Sequence, residues 1–97
     1  MPYIVPEQRE QLDPAIRQLA YNIGQLPADN QDGAVTYVIS RLLVELYAGT
    51  RGNFFTMNRA NGILSSAAHE FYRRIVGPYE DQKIKDNGDL VAGEWAK

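Results

Sequence analysis

The densest basic cluster in the chain consists of Arg73 and Arg74, followed at short distance by Lys83 and Lys85. Arginine guanidiniums hold phosphate and carboxylate groups through paired hydrogen bonds. The cluster therefore predicts an anion-binding site. The alternative is ordinary solvated charge, in which Arg74 pairs with a nearby carboxylate such as Glu80 and Arg73 faces the solvent.

A second candidate site is the pair Tyr37 and Arg41, one helical turn apart on the side of its helix away from the core. Such a pair can stack on a nucleobase and bind a phosphate, and it is equally typical of protein interfaces. Both interpretations stay open at this point. Tyr72 and Tyr79 are further candidates for stacking, and Asn61 for hydrogen bonds to the polar edge of a ligand.

Catalysis and metal binding have little support in the residues. His69 is the single histidine, and Ser65 lies four positions before it, but no acid at helical spacing completes a triad. The lack of cysteine excludes a disulfide framework, a thiolate nucleophile and a zinc site built on sulfur. We therefore expect no enzyme, no metal and no cofactor.

Charge and length limit the classes of partner. With 10 basic and 12 acidic side chains the formal net charge is −2, which makes nucleic acid an unfavourable partner. A chain of 97 residues supports one modest core without a deep internal cavity. The pattern of the first residues leads us to expect no signal peptide, and the sequence holds no apolar run of membrane-spanning length. We expect a cytoplasmic protein that does not contact a membrane.

The elements that position these residues are predicted to be helices. Three-and-four apolar spacing, together with Pro, Gly, Asn and Asp at the breaks, indicates an all-α fold. Asp13 is the expected N-cap of the first helix and Thr56 that of the third. The predicted architecture is a small three-helix bundle with an extended N-terminal arm at residues 3–5. The helices are predicted at 14–25, 34–48 and 56–77, with a short fourth helix at 79–86. All of them belong to a single domain at 1–88, which is followed by a flexible tail at 89–97 that holds Trp95.

Helix two carries more apolar surface than a monomer of this size needs. Its residues are apolar nearly all round, and helix three adds a stripe of its own. The pattern indicates self-association through these two helices, unless helix two is simply the central helix of the domain. The stripe of helix three comprises Met57, Ala60, Leu64, Ala67, Ala68, Phe71 and Ile75.

Several short strings are distinctive in combination. They are M-P-Y-I at the start, Y-V-I-S-R-L at 37–42, F-Y-R-R at 71–74, P-Y-E-D-Q-K-I at 78–84 and N-G-D at 87–89. Together they resemble a family of short uncharacterised proteins encoded mainly by bacteriophages. The resemblance implies a phage origin and an all-helical fold, and it brings no activity that can be carried over.

Phage proteins of this size often act against host defence, and some sequester nucleotide immune signals. By that analogy we expect a non-enzymatic homo-oligomer that binds a small anionic nucleotide, of cyclic or ADP-ribose type, between its subunits. Arg73, Arg74, Arg41 and Lys83 would hold phosphates, Tyr37, Tyr72 or Tyr79 would stack, and Asn61 would read polar edges. The alternative is an interaction module that docks on a host protein and inhibits it.

Overall fold

The computed structural model describes residues 2–49 and 53–90, whose only regular elements are helices. The all-α fold predicted from apolar spacing is confirmed. The order is α1 (Pro6–Gly24), α2 (Ala28–Tyr47), α3 (Phe54–Phe71), a π-helical turn (Tyr72–Val76) and α4 (Gly77–Asn87). Most of the predicted tail, with Trp95, lies outside the described residues.

The N-terminal arm before α1 is extended, as predicted. Val5 has φ −68° and ψ 155° and stands at the N-cap of α1. The Nε of Arg9, at the end of the first turn of the helix, donates a hydrogen bond of 2.8 Å to the carbonyl of Ile4. This bond ties the arm back onto the helix that follows it.

The first helix begins earlier than the predicted segment 14–25. Pro6 takes a first-turn position, where a missing N–H removes no hydrogen bond. The predicted N-cap at Asp13 is wrong, because Pro14 lies inside the helix. A proline there removes one helical hydrogen bond, to the carbonyl of Glu10. Glu10 is exposed, so water can satisfy that carbonyl.

The second helix also begins before its predicted start at residue 34. Its first turns are formed by the polar residues that were predicted to be a loop, with Asp29 in the first turn, where the helix dipole favours an acid. The side-chain amide of Gln31 donates to the carbonyl of Leu26 at 3.0 Å and so supports the tight turn from α1. Beyond this turn α1 and α2 pack against each other.

A reciprocal pair of hydrogen bonds caps the start of α3. The backbone N–H of Thr56 donates to Oδ1 of Asn53 at 3.1 Å, and the N–H of Asn53 donates to Oγ1 of Thr56 at 3.0 Å. This is a capping box, in which each side chain satisfies an otherwise unpaired donor. The prediction of Thr56 as N-cap is therefore wrong, because Asn53 holds that position.

The predicted end of helix three at Gly77 and Pro78 is also wrong. Proline disfavours the helical conformation of a preceding residue that carries a Cβ. Gly77 carries none and adopts φ −55° and ψ −54°, with its N–H donating to the carbonyl of Tyr72, five residues back. That hydrogen bond defines a π turn. The chain continues directly into α4, which ends as predicted at Asn87 and Gly88, where Gly88 has a φ of 92°.

Few side chains of the described residues are buried. Ala60 is the one hydrophobic residue among them that counts as buried, at 8% exposure. Backbone contacts divide the chain into two compact units, Met1–Gly62 and Ile63–Lys97. Within the first unit, the guanidinium carbon of Arg59 lies 5.8 Å from the centre of the Tyr47 ring, at cation–π distance.

Candidate functional site

Tyr37, Arg41 and Glu45 form a hydrogen-bonded chain along the exposed side of α2. Nη1 of Arg41 donates to the Tyr37 hydroxyl at 3.0 Å, while its Nε and Nη2 donate to Oε1 of Glu45 at 3.0 and 2.6 Å. The hydrogen bond with Glu45 is the main cause that raises the pKa of Arg41 above its ordinary value, and the bond with Tyr37 adds to it.

The predicted neighbours Tyr37 and Arg41 are thus in contact, but Arg41 also binds Glu45, which the sequence analysis missed. The spacing predicts this ion pair, because an arginine and a glutamate four residues apart lie side by side on a helix. Glu45 balances the charge of Arg41. A phosphate at this place would have to compete with that carboxylate.

In the second unit, two of the predicted cations have partners on the same helical run. Arg73 faces the solvent, with its side chain 64% exposed, and it also forms an ion pair with Glu70 through Nη2 and Oε1. The ammonium of Lys83 lies 5.4 Å from the centre of the Tyr79 ring, one turn earlier. Both cations are therefore engaged within the chain.

Arg74 differs from these cations. Within the described residues it takes part in no hydrogen bond and no ion pair, and its side chain is exposed. Arg74 and Glu80 therefore form no ion pair in the described part of the chain, contrary to the alternative stated above. Asn61 is likewise exposed. Tyr37, Arg41 and Asn61 belong to the first unit, whereas Tyr72, Arg73, Arg74, Tyr79 and Lys83 belong to the second.

A shallow open depression of about 330 Å³ lies on the second unit. It is lined by Ser65, Ala68, His69 and Tyr72, which share one face of a single helical run. No acid lies among these lining residues to orient His69 as a base. The described residues also contain no cluster of three or more His, Cys, Asp or Glu side chains that could hold a metal ion.

A stripe of exposed apolar side chains runs along α2. On α2 the residues Val35, Ile39, Leu42 and Leu46, which we call the α2 stripe, follow four-three-four spacing on one face. Exposure along this stripe rises from 44% at Val35 to 65% at Leu46. On α1, Leu19 is 39% exposed, while Ile16 and Leu12, farther from the turn to α2, are 59% and 51% exposed. Both helices are thus better covered near the turn that joins them than farther from it.

A second stripe runs along the helical segment of residues 63–87. We define the 64–79 stripe as Leu64, Ala67, Phe71, Ile75 and Tyr79. Its aromatic members Phe71 and Tyr79 are 60% and 61% exposed. The sequence analysis gave the first four members but missed Tyr79, because the π turn that aligns it was not expected.

Comparison with known proteins gives a family and no further relative. No curated protein and no solved structure matches the chain. Among the described residues, no helix combines the length and apolar character that a membrane span requires. A family model covers residues 1–90, nearly the whole chain. The chain therefore belongs to the family described as Domain of unknown function (DUF6899).

Proposed function

We propose that this protein is a non-enzymatic interaction protein that works as a homo-oligomer, assembled through the apolar faces of α2 and of the helical segment 54–87. The observation that carries the proposal is the exposure of the α2 stripe. Fully burying one exposed valine, leucine or isoleucine side chain contributes about 1.5–3 kcal/mol. The four side chains of the α2 stripe are 44–65% exposed, so covering them contributes about half of that amount per residue and favours binding of a partner.

The spacing of the stripe favours another helix as that partner. Apolar positions at alternating intervals of three and four residues are the pattern by which helices pack side by side. A second copy of the chain presents the same stripe and can form a two-fold symmetric interface with it. A host protein that presents an apolar groove is the alternative partner.

A pair of identical substitutions tests this proposal. Leu46→Glu places a charge at the most exposed end of the α2 stripe, whereas Leu90→Glu makes the same change outside the helices, at a side chain that is 99% exposed. We expect Leu46→Glu to weaken self-association at least about tenfold, because its carboxylate would lose water in the interface. Leu90→Glu should leave self-association unchanged. Sedimentation equilibrium measures both. Equal behaviour of the two variants would contradict assembly through α2.

A second proposal, that the protein sequesters a small anionic nucleotide as an anti-defence factor, is favoured by the hydrogen bond between Tyr37 and Arg41. This bond keeps a stacking ring and a guanidinium side by side, as a nucleotide site needs. Glu45 opposes it by occupying the same guanidinium. Native mass spectrometry of the oligomer with cyclic dinucleotides and cyclic ADP-ribose isomers tests the proposal, and an unchanged protein mass with every compound would contradict it.

A further inference from the structure

The helical segment 63–87 carries an interface of its own. We propose that it pairs with the same segment of a second copy in antiparallel orientation, about a two-fold axis near residues 71–72. The proposal rests on the self-assembly proposed above and adds the partner element, its direction and its register.

The first argument is that, among the residues of its unit that the structure describes, this segment has no other element to pack against. The described residues of the unit Ile63–Lys97 form one unbroken helical run, from the last turns of α3 through the π turn into α4. A single helix cannot cover its own apolar stripe. Phe71, Ile75 and Tyr79 are each about three-fifths exposed.

The second argument is that the π turn makes the stripe continuous. In an α-helix, residues 71, 75 and 79 would drift around the axis, because each step of four residues exceeds the turn of about 3.6 residues. A π turn closes its hydrogen bond one residue later and holds more residues per turn, so it offsets this angular drift. Tyr79 therefore lies in line with Leu64, Ala67 and Phe71.

The third argument is the area available. Aromatic side chains bury about 150–250 Å² each when fully covered, so a side chain that is three-fifths exposed still offers about 100 Å². Four large side chains on or beside the stripe are exposed to this extent (Phe71, Tyr72, Ile75 and Tyr79) and offer about 400 Å² per copy, and Leu64, at 40% exposure, brings the total close to about 500 Å². Two copies reach about 1,000 Å², the lower limit of a specific interface. The segment therefore reaches the size that a specific pair requires.

The fourth argument is charge complementarity, which sets the direction. Glu70 and Arg74 lie one turn apart on the same flank of the 64–79 stripe. In an antiparallel pair that aligns Ala67 with Ile75 of the other copy, Glu70 of each copy lies on the same flank as Arg74 of the other and is offset from it by about 3 Å along the axis, within reach of an ion pair. The Glu70 carboxylate already binds Arg73 and has acceptor sites for a second guanidinium.

The parallel arrangement satisfies fewer charges. There the flank of Glu70 meets the opposite flank of the partner, which carries Tyr72, Val76 and Glu80. Arg74 would then meet an acid, but Glu70 would meet no cation. The antiparallel pair gives the Glu70 carboxylate and the Arg74 guanidinium each an opposite charge in the other copy. It thereby supplies Arg74 with a partner that it does not have within the described residues.

Charge reversal with mixing tests the pairing. Glu70→Arg and Arg74→Glu each place like charges opposite one another in a homodimer, so we expect each variant alone to self-associate about tenfold more weakly than wild type. Mixed together, the basic and the acidic variant restore both ion pairs. The heterodimer should therefore form with nearly wild-type affinity, which native mass spectrometry reads directly. Glu80→Arg is the matched control, because it reverses an acid on the other flank.

Cysteine cross-linking provides a second, independent readout, because the chain has no cysteine of its own. Ala67→Cys and Ile75→Cys chains of different isotopic mass are mixed and oxidised. The antiparallel pair gives the mixed 67–75 disulfide, while two copies of residue 67 are about 12 Å apart along the axis and do not link.

The outcomes separate the two proposals. Preferential heterodimers together with the 67–75 cross-link support the antiparallel pair. The antiparallel pairing is overturned, with self-assembly left intact, if the wild type forms an oligomer but neither Glu70→Arg nor Arg74→Glu weakens association. It is overturned in the same way if Glu80→Arg weakens association and residue 67 cross-links to residue 67. A wild-type chain that stays monomeric at every concentration overturns both.

Discussion

Two glycines in the helical segment 54–87 provide a matched test of the π turn. Gly62 lies inside α3, and a Cβ added there would meet no atom within 4 Å. At Gly77 the added Cβ would lie 3.2 Å from the backbone carbonyl oxygen of Tyr72. It would also crowd the ring of Pro78, since Gly77 is in the helical conformation.

The expected difference follows from two opposing effects. Replacing a helical glycine by alanine stabilises a helix by roughly 1 kcal/mol, because alanine has less backbone freedom to lose on folding. Gly62→Ala should gain that amount. At Gly77 the same gain is offset by the close carbonyl and by the proline, because a residue held in an unfavourable backbone conformation costs about 1–3 kcal/mol. We expect Gly77→Ala to be neutral or destabilising.

Thermal unfolding followed by circular dichroism at a fixed subunit concentration measures this difference. For a chain of this size, 1 kcal/mol moves the midpoint by about 4–8 °C. The concentration is held constant because association itself adds stability. We predict a rise for Gly62→Ala and none for Gly77→Ala. An equal rise in both variants would refute the reasoning and show that the close contact at Tyr72 imposes no strain.

Two further substitutions follow from the observed hydrogen bonds. Asn53→Ala removes one half of the capping box and should lower the free energy of unfolding in urea by about 1 kcal/mol. Asn58→Ala, inside the same helix, is the control and should be neutral or slightly stabilising. Similar losses of stability in both variants would contradict the role of Asn53 as the cap. Glu45→Gln releases Arg41 from its ion pair and should raise affinity for the nucleotide probes several-fold in calorimetry, with Glu7→Gln as control. A lower affinity would mean that Glu45 supports the site.

The fold class was predictable because helical periodicity is a direct property of the residue order. Helix starts were less predictable, since proline suits both a first turn and a break in a helix. The sequence predicts a helix start at Pro14, but this proline lies inside α1. The continuation through Gly77 and Pro78 depended on a hydrogen bond between backbone groups, which leaves no side-chain pattern to read.

The candidate site was predictable only where helix geometry fixes neighbours. Tyr37 and Arg41 lie four residues apart on one helix, so their contact followed from spacing alone. The ion pair of Arg73 was predictable in the same way, because Glu70 is the one acid three or four residues away from it along the helix. The sequence analysis considered an acidic partner only for Arg74 and so missed this pair.

The central claim is that the apolar stripes are covered by a second copy of the chain. Sedimentation velocity of the wild-type protein, from low micromolar to submillimolar concentration, tests it most directly. We predict a concentration-dependent shift from monomer to a species of at least twice its mass. A single species at the 10.9 kDa of one chain throughout this range would contradict self-assembly and leave a different protein as the partner of these faces.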